Sequence, residues 1–166
     1  MLYERRLVLV AFQIRTLLER PTKVGHRARH SRVEGRTYKR LGSHPVTQMN
    51  VMEVAENFDL DYPQVVRLPI FDLCNQLIHH YLLAVLREEG QQTWDSVWVC
   101  SDWKRNTCLY EFNLDKVLEV FALLASEASA GYNDGSTTMR WDEKKQDYVF
   151  STSPSPRSTL VIHHAR

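Results

Sequence analysis

Cysteine is scarce. The chain has three in 166 residues, Cys74, Cys100 and Cys108, with no C-x-x-C spacing. An odd, dispersed set argues against a disulfide scaffold or a closed zinc site, and fits a reducing compartment. Glycine is thin as well. Gly25, Gly35, Gly42, Gly90, Gly131 and Gly135 never fall as G-x-G-x-x-G or G-x-x-x-x-G-K, so no phosphate-cradling loop is expected, and no G-x-S-x-G elbow is present. Long hydrophobic runs are missing. Leu7–Phe12 is too short to cross a bilayer, with Gln13, Arg15, Glu19 and Arg20 close behind it and no small-residue cleavage site following. The expectation is a cytoplasmic chain with no membrane role. Neither H-E-x-x-H nor a Cys/His ligand spacing occurs. The pairs His79–His80 and His163–His164 would splay by about 100° on a helix, so no metal and no cofactor is expected. Net charge is close to zero, +1, so the overall balance names no partner.

What is present is an ordinary globular balance, 43% hydrophobic and 25% charged, which argues against global disorder. The length fits one domain, expected over residues 1–152, followed by a flexible Ser/Pro-rich tail over 153–166 in which "TLVIHH" offers a short edge strand. Leu7, Val10/Ala11, Ile14 and Leu17/Leu18 recur at helical spacing, so an amphipathic helix is predicted over about residues 3–19, ending before Pro21. Val51–Phe58 reads as a short helix. Ile70, Leu73/Cys74, Leu77/Ile78, Tyr81/Leu82 and Val85/Leu86 predict one long core helix closed by Gly90.

Trp94–Phe112 alternates as a hairpin turning at Lys104–Thr107. With Trp103 opposite Cys108, Val97, Val99, Trp103, Tyr110, Phe112 and Leu114 share the core face. Trp98, Cys100, Asp102, Leu109, Glu111 and Asn113 share the other, where Cys100 faces Glu111. Asn113 is a fitting N-cap for a helix reaching Leu124. "AGYNDGSTT" reads as a loop, and "TMRWDEKKQDYVFS" as a second hairpin turning at "EKKQ". The predicted class is α+β, with core helices packed on one face of a small antiparallel sheet built from two hairpins.

Between Arg20 and Arg40, eight cations stand against Glu34 alone. With His26, His30 and two glycines this reads as a basic, solvated arm over about residues 20–44, in which "RTYKRLG" makes at most a short edge strand. Lys23, Arg27, Arg29, Arg32, Arg36, Lys39 and Arg40 are the nucleic-acid-binding candidates, because clustered cations neutralise phosphates and release counterions. The same charge also suits a solvated loop balancing Glu53–Asp61. Asp72, Asn75 and His79 fall at i, i+3 and i+7, one polar stripe on the predicted core helix. A His beside an Asn and an Asp has the parts of a general acid or base, and the stripe equally suits groups bordering a core. Asp102 and Glu111 pair carboxylates beside Lys104 and Arg105, a solvated charged face. The hairpin's outward Trp98 and its turn residues Lys104 and Arg105 are the candidates for a partner surface.

"LCNQLIHHY" resembles a helix of small uncharacterised bacterial proteins in which Cys-Asn-x-x-Ile-His precedes a hairpin. "CSDWKRNTCLYEF" is similar to their Ser-Asp-x-x-Arg…Leu-Tyr segment, so the likeness covers roughly residues 66–121. It implies a bacterial host and a mobile-element or gene-cassette setting, and no activity. A weaker likeness is to HEPN-type ribonucleases, which carry an Arg, a polar residue and a His along one helix. Aligned on His79, Asn75 takes the polar place and Cys74 the arginine's, so the likeness implies a degenerate site without its cation. Three readings follow. The leading one is a non-enzymatic binding or adaptor protein, with a protein partner or a second copy of itself. The others are a nucleic-acid-associated accessory protein and a degenerate HEPN-like ribonuclease.

Overall fold

The computed structural model describes residues 2–20, 23–87, 94–130 and 135–154, without the side chains of 26, 27, 129, 130, 135–139 and 147–154. In chain order the elements are α1 (Leu2–Leu18), α2 (His26–Arg29), β1 (Arg32–Lys39), α3 (Val54–Asn57), β2 (Gln64–Pro69) and α4 (Ile70–Ile78). Then follow β3 (His80–Leu86), β4 (Ser96–Ser101), β5 (Cys108–Asn113), α5 (Leu114–Ala130), β6 (Gly135–Asp142) and β7 (Asp147–Pro154). The fold is α+β. Its main sheet has five antiparallel strands in the order β2-β1-β5-β4-β3. The predicted second hairpin forms as β6–β7, turning where Asp142 Oδ1 accepts the amides of Lys144 and Lys145, but it makes a separate two-stranded sheet.

Helix α1 presents Leu7, Ala11, Ile14 and Leu18 to the interior, the stripe read from the sequence. These residues share one core with Ile70, Leu73 and Leu77 of α4, Val117, Phe121 and Leu124 of α5, and Val97, Val99, Tyr110 and Phe112 of the sheet. Burying each such aliphatic or aromatic side chain contributes roughly 1.5–3 kcal/mol. Asn113 caps α5 as its residue type implies, Oδ1 accepting the Lys116 amide at 3.0 Å. Strand β1 brings Gly35 opposite Phe112. A Cβ there would lie 2.4 Å from both the Glu111 carbonyl oxygen and the Phe112 ring, so only glycine lets that ring settle across β1.

The opposite face of the sheet is covered too. Tyr38, Leu82, Cys100 and Leu109 pack with Val46 and Phe58, and with Val51, Val54, Leu60 and Trp98 at the margin. Segment 46–60, which includes α3, therefore lids the side that the hairpin's alternation had left half polar. The β4–β5 register pairs Trp98 with Glu111 and Val99 with Tyr110, two residues from the predicted one. A shift of two keeps each strand residue on its face, so the assignment holds within β4 and β5 though not for Trp103 in the turn, and the partner of Glu111 changes from Cys100 to Trp98.

Two predicted elements change. The long core helix stops at Ile78 and the chain re-enters as strand β3. The His80 ring marks the break. The His79 amide donates to the Asn75 carbonyl, and His80 Nδ1 lies 2.8 Å from the Leu77 carbonyl, satisfying terminal helix carbonyls. The run Tyr81–Leu86 is apolar at every position, so it matches a helical period and a buried strand equally. The basic arm also changes. Its residues 32–39 are strand β1, an interior strand between β2 and β5, and Val24, Ala28, Val33 and Tyr38 are buried. Few apolar residues suffice when each is buried. The predicted end at Gly90, the "TLVIHH" strand, the His163–His164 pair and most of the tail lie outside the described residues.

Candidate functional site

The predicted stripe Asp72–Asn75–His79 is not continuous, because His79 lies past the end of α4 at φ −101°, ψ 30°. Asp72 is exposed, and Asn75 is half-buried with Oδ1 hydrogen-bonded to none of the described residues. His79 instead meets residues far away in the chain. Its Nε2 lies 3.4 Å from an Arg15 Nη of α1, and its ring packs against Trp103 with centroids 5.0 Å apart. Arg15 also holds Glu19 at 3.2 Å and lies over the Phe71 ring at 5.3 Å. A cation thus reaches His79 from a different helix. The Cys74 thiol is pushed up to about 12 by burial, which outweighs the pull of Arg15. Sequence reasoning had no signal for Arg15 or Trp103 here. Trp103, expected on the core face, is 70% exposed in the β4–β5 turn.

In that turn Arg105 pairs with Asp102 at 3.1 Å and covers the Tyr81 ring at 4.3 Å, while Lys104 is exposed. Trp98 is less outward than the alternation implied. It is half-buried against the second core, and its Nε1 is buried without an acceptor among the described residues.

The basic candidates do not form one stripe. Arg29 donates to the carbonyls of Leu18 at 2.9 Å and Arg20 at 2.8 Å, closing the end of α1, and its desolvation lowers its basicity. Arg40 donates to the carbonyls of Leu41, Asn57 and His44, tying β1 to the lid over the second core. Arg32 donates to the Arg67 carbonyl at 3.2 Å. Arg36 lies 3.9 Å from Glu111, which also accepts the Tyr38 hydroxyl, and Arg67 pairs with Glu34 at 2.9 Å. The outer face of β2–β1–β5 is therefore a ladder of alternating charges, bordering a cleft of about 450 Å³ that Val65, Asn113 and Lys116 help to line. Lys23 and Lys39 are exposed, and the Arg27 side chain lies outside the described residues.

A further surface was hidden in the sequence by the helical reading of 80–86. Strand β3 ends the sheet, and no described strand pairs with its free side. Its sequence, HYLLAVL, contains no proline, acid, Lys or Arg. The other edge, β2, reads QVVRLP, and carries the charge and the proline with which monomers usually blunt an edge. Grooves flank β3 on both faces. One, of about 410 Å³, runs between α1 and the strand, lined by Glu4, Arg5, Val8, Leu9, His80 and Leu83. The other, of about 460 Å³, lies toward α3, with Met52, Leu60, Leu82, Ala84, Leu86 and Trp98 on its walls. Helix α1 adds a second apolar stripe beside the first groove, with Leu2 63%, Leu9 63% and Phe12 60% exposed.

Among the described residues no group of three or more His, Cys, Asp or Glu side chains is placed to hold a metal ion, and no helix is long and apolar enough to cross a membrane. No protein-family model, curated protein or solved structure significantly matches the chain.

Proposed function

We propose that the chain is a non-enzymatic protein-binding module whose binding element is the free edge of β3 with the exposed stripe of α1. The supporting observation is a sheet-edge strand without Asp, Glu, Lys, Arg or Pro, paired on one side only among the described residues and lying between two apolar grooves. An extended segment laid along β3 takes main-chain hydrogen bonds from every second residue. Its alternate side chains enter the two grooves in turn. Selection from a random-peptide library tests the reading. The expected winners carry alternating apolar residues and lose binding to a Leu9→Glu/Phe12→Glu variant. No enrichment over a blank surface would refute it.

One observation favours a second reading, ribonuclease chemistry. An Arg15 Nη lies 3.4 Å from His79 Nε2, so a base and a cation meet, and Asn75 stands four residues back on the helix that ends at Ile78. Under this reading, RNA cleavage disappears in both His79→Ala and Arg15→Ala while the circular dichroism spectrum is retained. Cleavage that survives either substitution removes it. The nucleic-acid reading has less support, since Arg29, Arg32, Arg36 and Arg40 are each engaged within the fold.

A further inference from the structure

The proposed binding surface leaves its occupant open, and its geometry names one. We infer that the partner is a second copy of this chain, the two β3 strands pairing antiparallel about a twofold axis near Leu83. The inference rests on the binding reading above and specifies its partner.

A surface that pairs with itself must be self-complementary under a twofold rotation. An uncharged edge strand meets that condition for its backbone, since an antiparallel pair exchanges equivalent hydrogen bonds in both directions. An axis perpendicular to the sheet keeps both helical layers on the same side. Leu83 and Leu9 line the same groove, so that axis also passes close to Leu9 of α1. The two α1 helices then lie antiparallel across it. Residues four before and three after Leu9 meet, which sets Arg5 of each copy over Phe12 of the partner subunit, a cation on an aromatic face. Leu9 meets its own equivalent. The exposed stripe, unexplained in a monomer, becomes the dimer's helical seam.

The dimensions suffice. Seven strand residues span about 23 Å and α1 about 25 Å. A strip of that length covering the edge and one helical layer is on the order of 600 Å² per copy, the lower end for a specific dimer. The result is a continuous ten-stranded sheet, its outer edges formed by the two β2 strands that carry Arg67 and Pro69.

Sedimentation velocity of the whole chain from about 1 to 100 µM tests this. The expected result is a reversible monomer–dimer equilibrium. Leu83→Lys raises its dissociation constant at least a hundredfold. Leu9→Glu/Phe12→Glu does the same without altering the thermal midpoint by more than a few degrees, because those side chains are exposed in the monomer. A Leu83→Cys variant on a Cys108→Ser background forms an interchain disulfide on mild oxidation. A chain that stays monomeric at 100 µM, or a dimer indifferent to all three changes, overturns the inference. A monomer that still selects alternating apolar peptides overturns the dimer alone; one that selects none overturns the binding reading with it.

Discussion

Gly35→Ala should destabilise the protein, against the intrinsic preference of a strand. Replacing glycine within a strand ordinarily gains about 0.5–1 kcal/mol from reduced backbone freedom. Here the new methyl would sit 2.4 Å from the Glu111 carbonyl oxygen and 2.4 Å from the Phe112 ring, and neither can simply swing aside. Phe112 is fully buried, and Glu111 belongs to the central strand β5. Forcing a methylene-sized group into a packed site costs about 1–3 kcal/mol, so once that gain is subtracted a net loss of about 1 kcal/mol is expected. Urea unfolding would read this as a midpoint lower by about 0.5 M with an unchanged slope. Phe112→Leu, which withdraws the ring edge, costs about 1–2 kcal/mol alone. If the ring is half of the conflict, the double variant is more stable than the sum of the two losses by about 1 kcal/mol. The remaining loss belongs to the Glu111 carbonyl, which no side-chain change relieves. A neutral or stabilising Gly35→Ala, or strict additivity with Phe112→Leu, would refute the packing argument.

Stability should fall at alkaline pH. Burial pushes the Cys74 thiol up to about 12 and the Cys100 thiol up to about 11, against about 9 in an unfolded chain. The fold therefore holds their protons more tightly. Stability is intact below about pH 9 and is lost toward 11–12 at up to about 1.4 kcal/mol per pH unit per thiol. Urea midpoints between pH 8 and 10.5 should slope downward, less steeply in Cys100→Ala, and a flat profile contradicts the burial of both thiols. Among the basic residues, Arg29→Ala should cost about 1–3 kcal/mol by removing its bonds to the Leu18 and Arg20 carbonyls, of which Arg20's keeps the Lys23 amide, while Lys23→Ala changes stability by under about 0.5 kcal/mol. Equal effects on the thermal midpoint would count against a structural Arg29. Trp98→Phe, which deletes a buried donor without a partner, is expected to be neutral within about 1 kcal/mol, checked by the same denaturation.

Sequence patterning revealed elements whose period was unique. Helix α1 buries one stripe, and the β4–β5 hairpin alternates Val97, Val99, Tyr110 and Phe112 with Ser96, Glu111 and Asn113. The 3.6- and 2-residue rhythms therefore stand out, although Cys100 and Leu109 on the hairpin's other face are buried as well. The cap at Asn113 was legible because a side-chain amide before an apolar helical run has a local purpose. Strand β3 was not legible. A segment apolar at every position carries no period, and the break before it is marked by the His80 ring on the Leu77 carbonyl, without a Gly or Pro. Strand β1 was hidden for the opposite reason. On its outer face Glu34 and Arg36 meet Arg67 and Glu111, and those two partners lie far along the chain. Non-local pairing explains the site as well. His79 was a visible candidate, but Arg15 and Trp103 reach it only through the packing of α1 and the β4–β5 turn.

The order β2-β1-β5-β4-β3 also dictates when the parts of the sheet can form. Gly35 waits for Phe112, so the β1–β2 ribbon gains no sheet neighbour until the chain has been made through β5. Strands β3, β4 and β5 are consecutive and pair as a local meander, with little closure entropy to overcome. Folding is thus expected to begin in the C-terminal half of the sheet, with β1 zipping onto β5 afterward. Mutations at Val97, Val99 or Tyr110 should slow refolding, and those at Val33 or Val66 should mainly hasten unfolding, a division that stopped-flow kinetics can confirm or reverse.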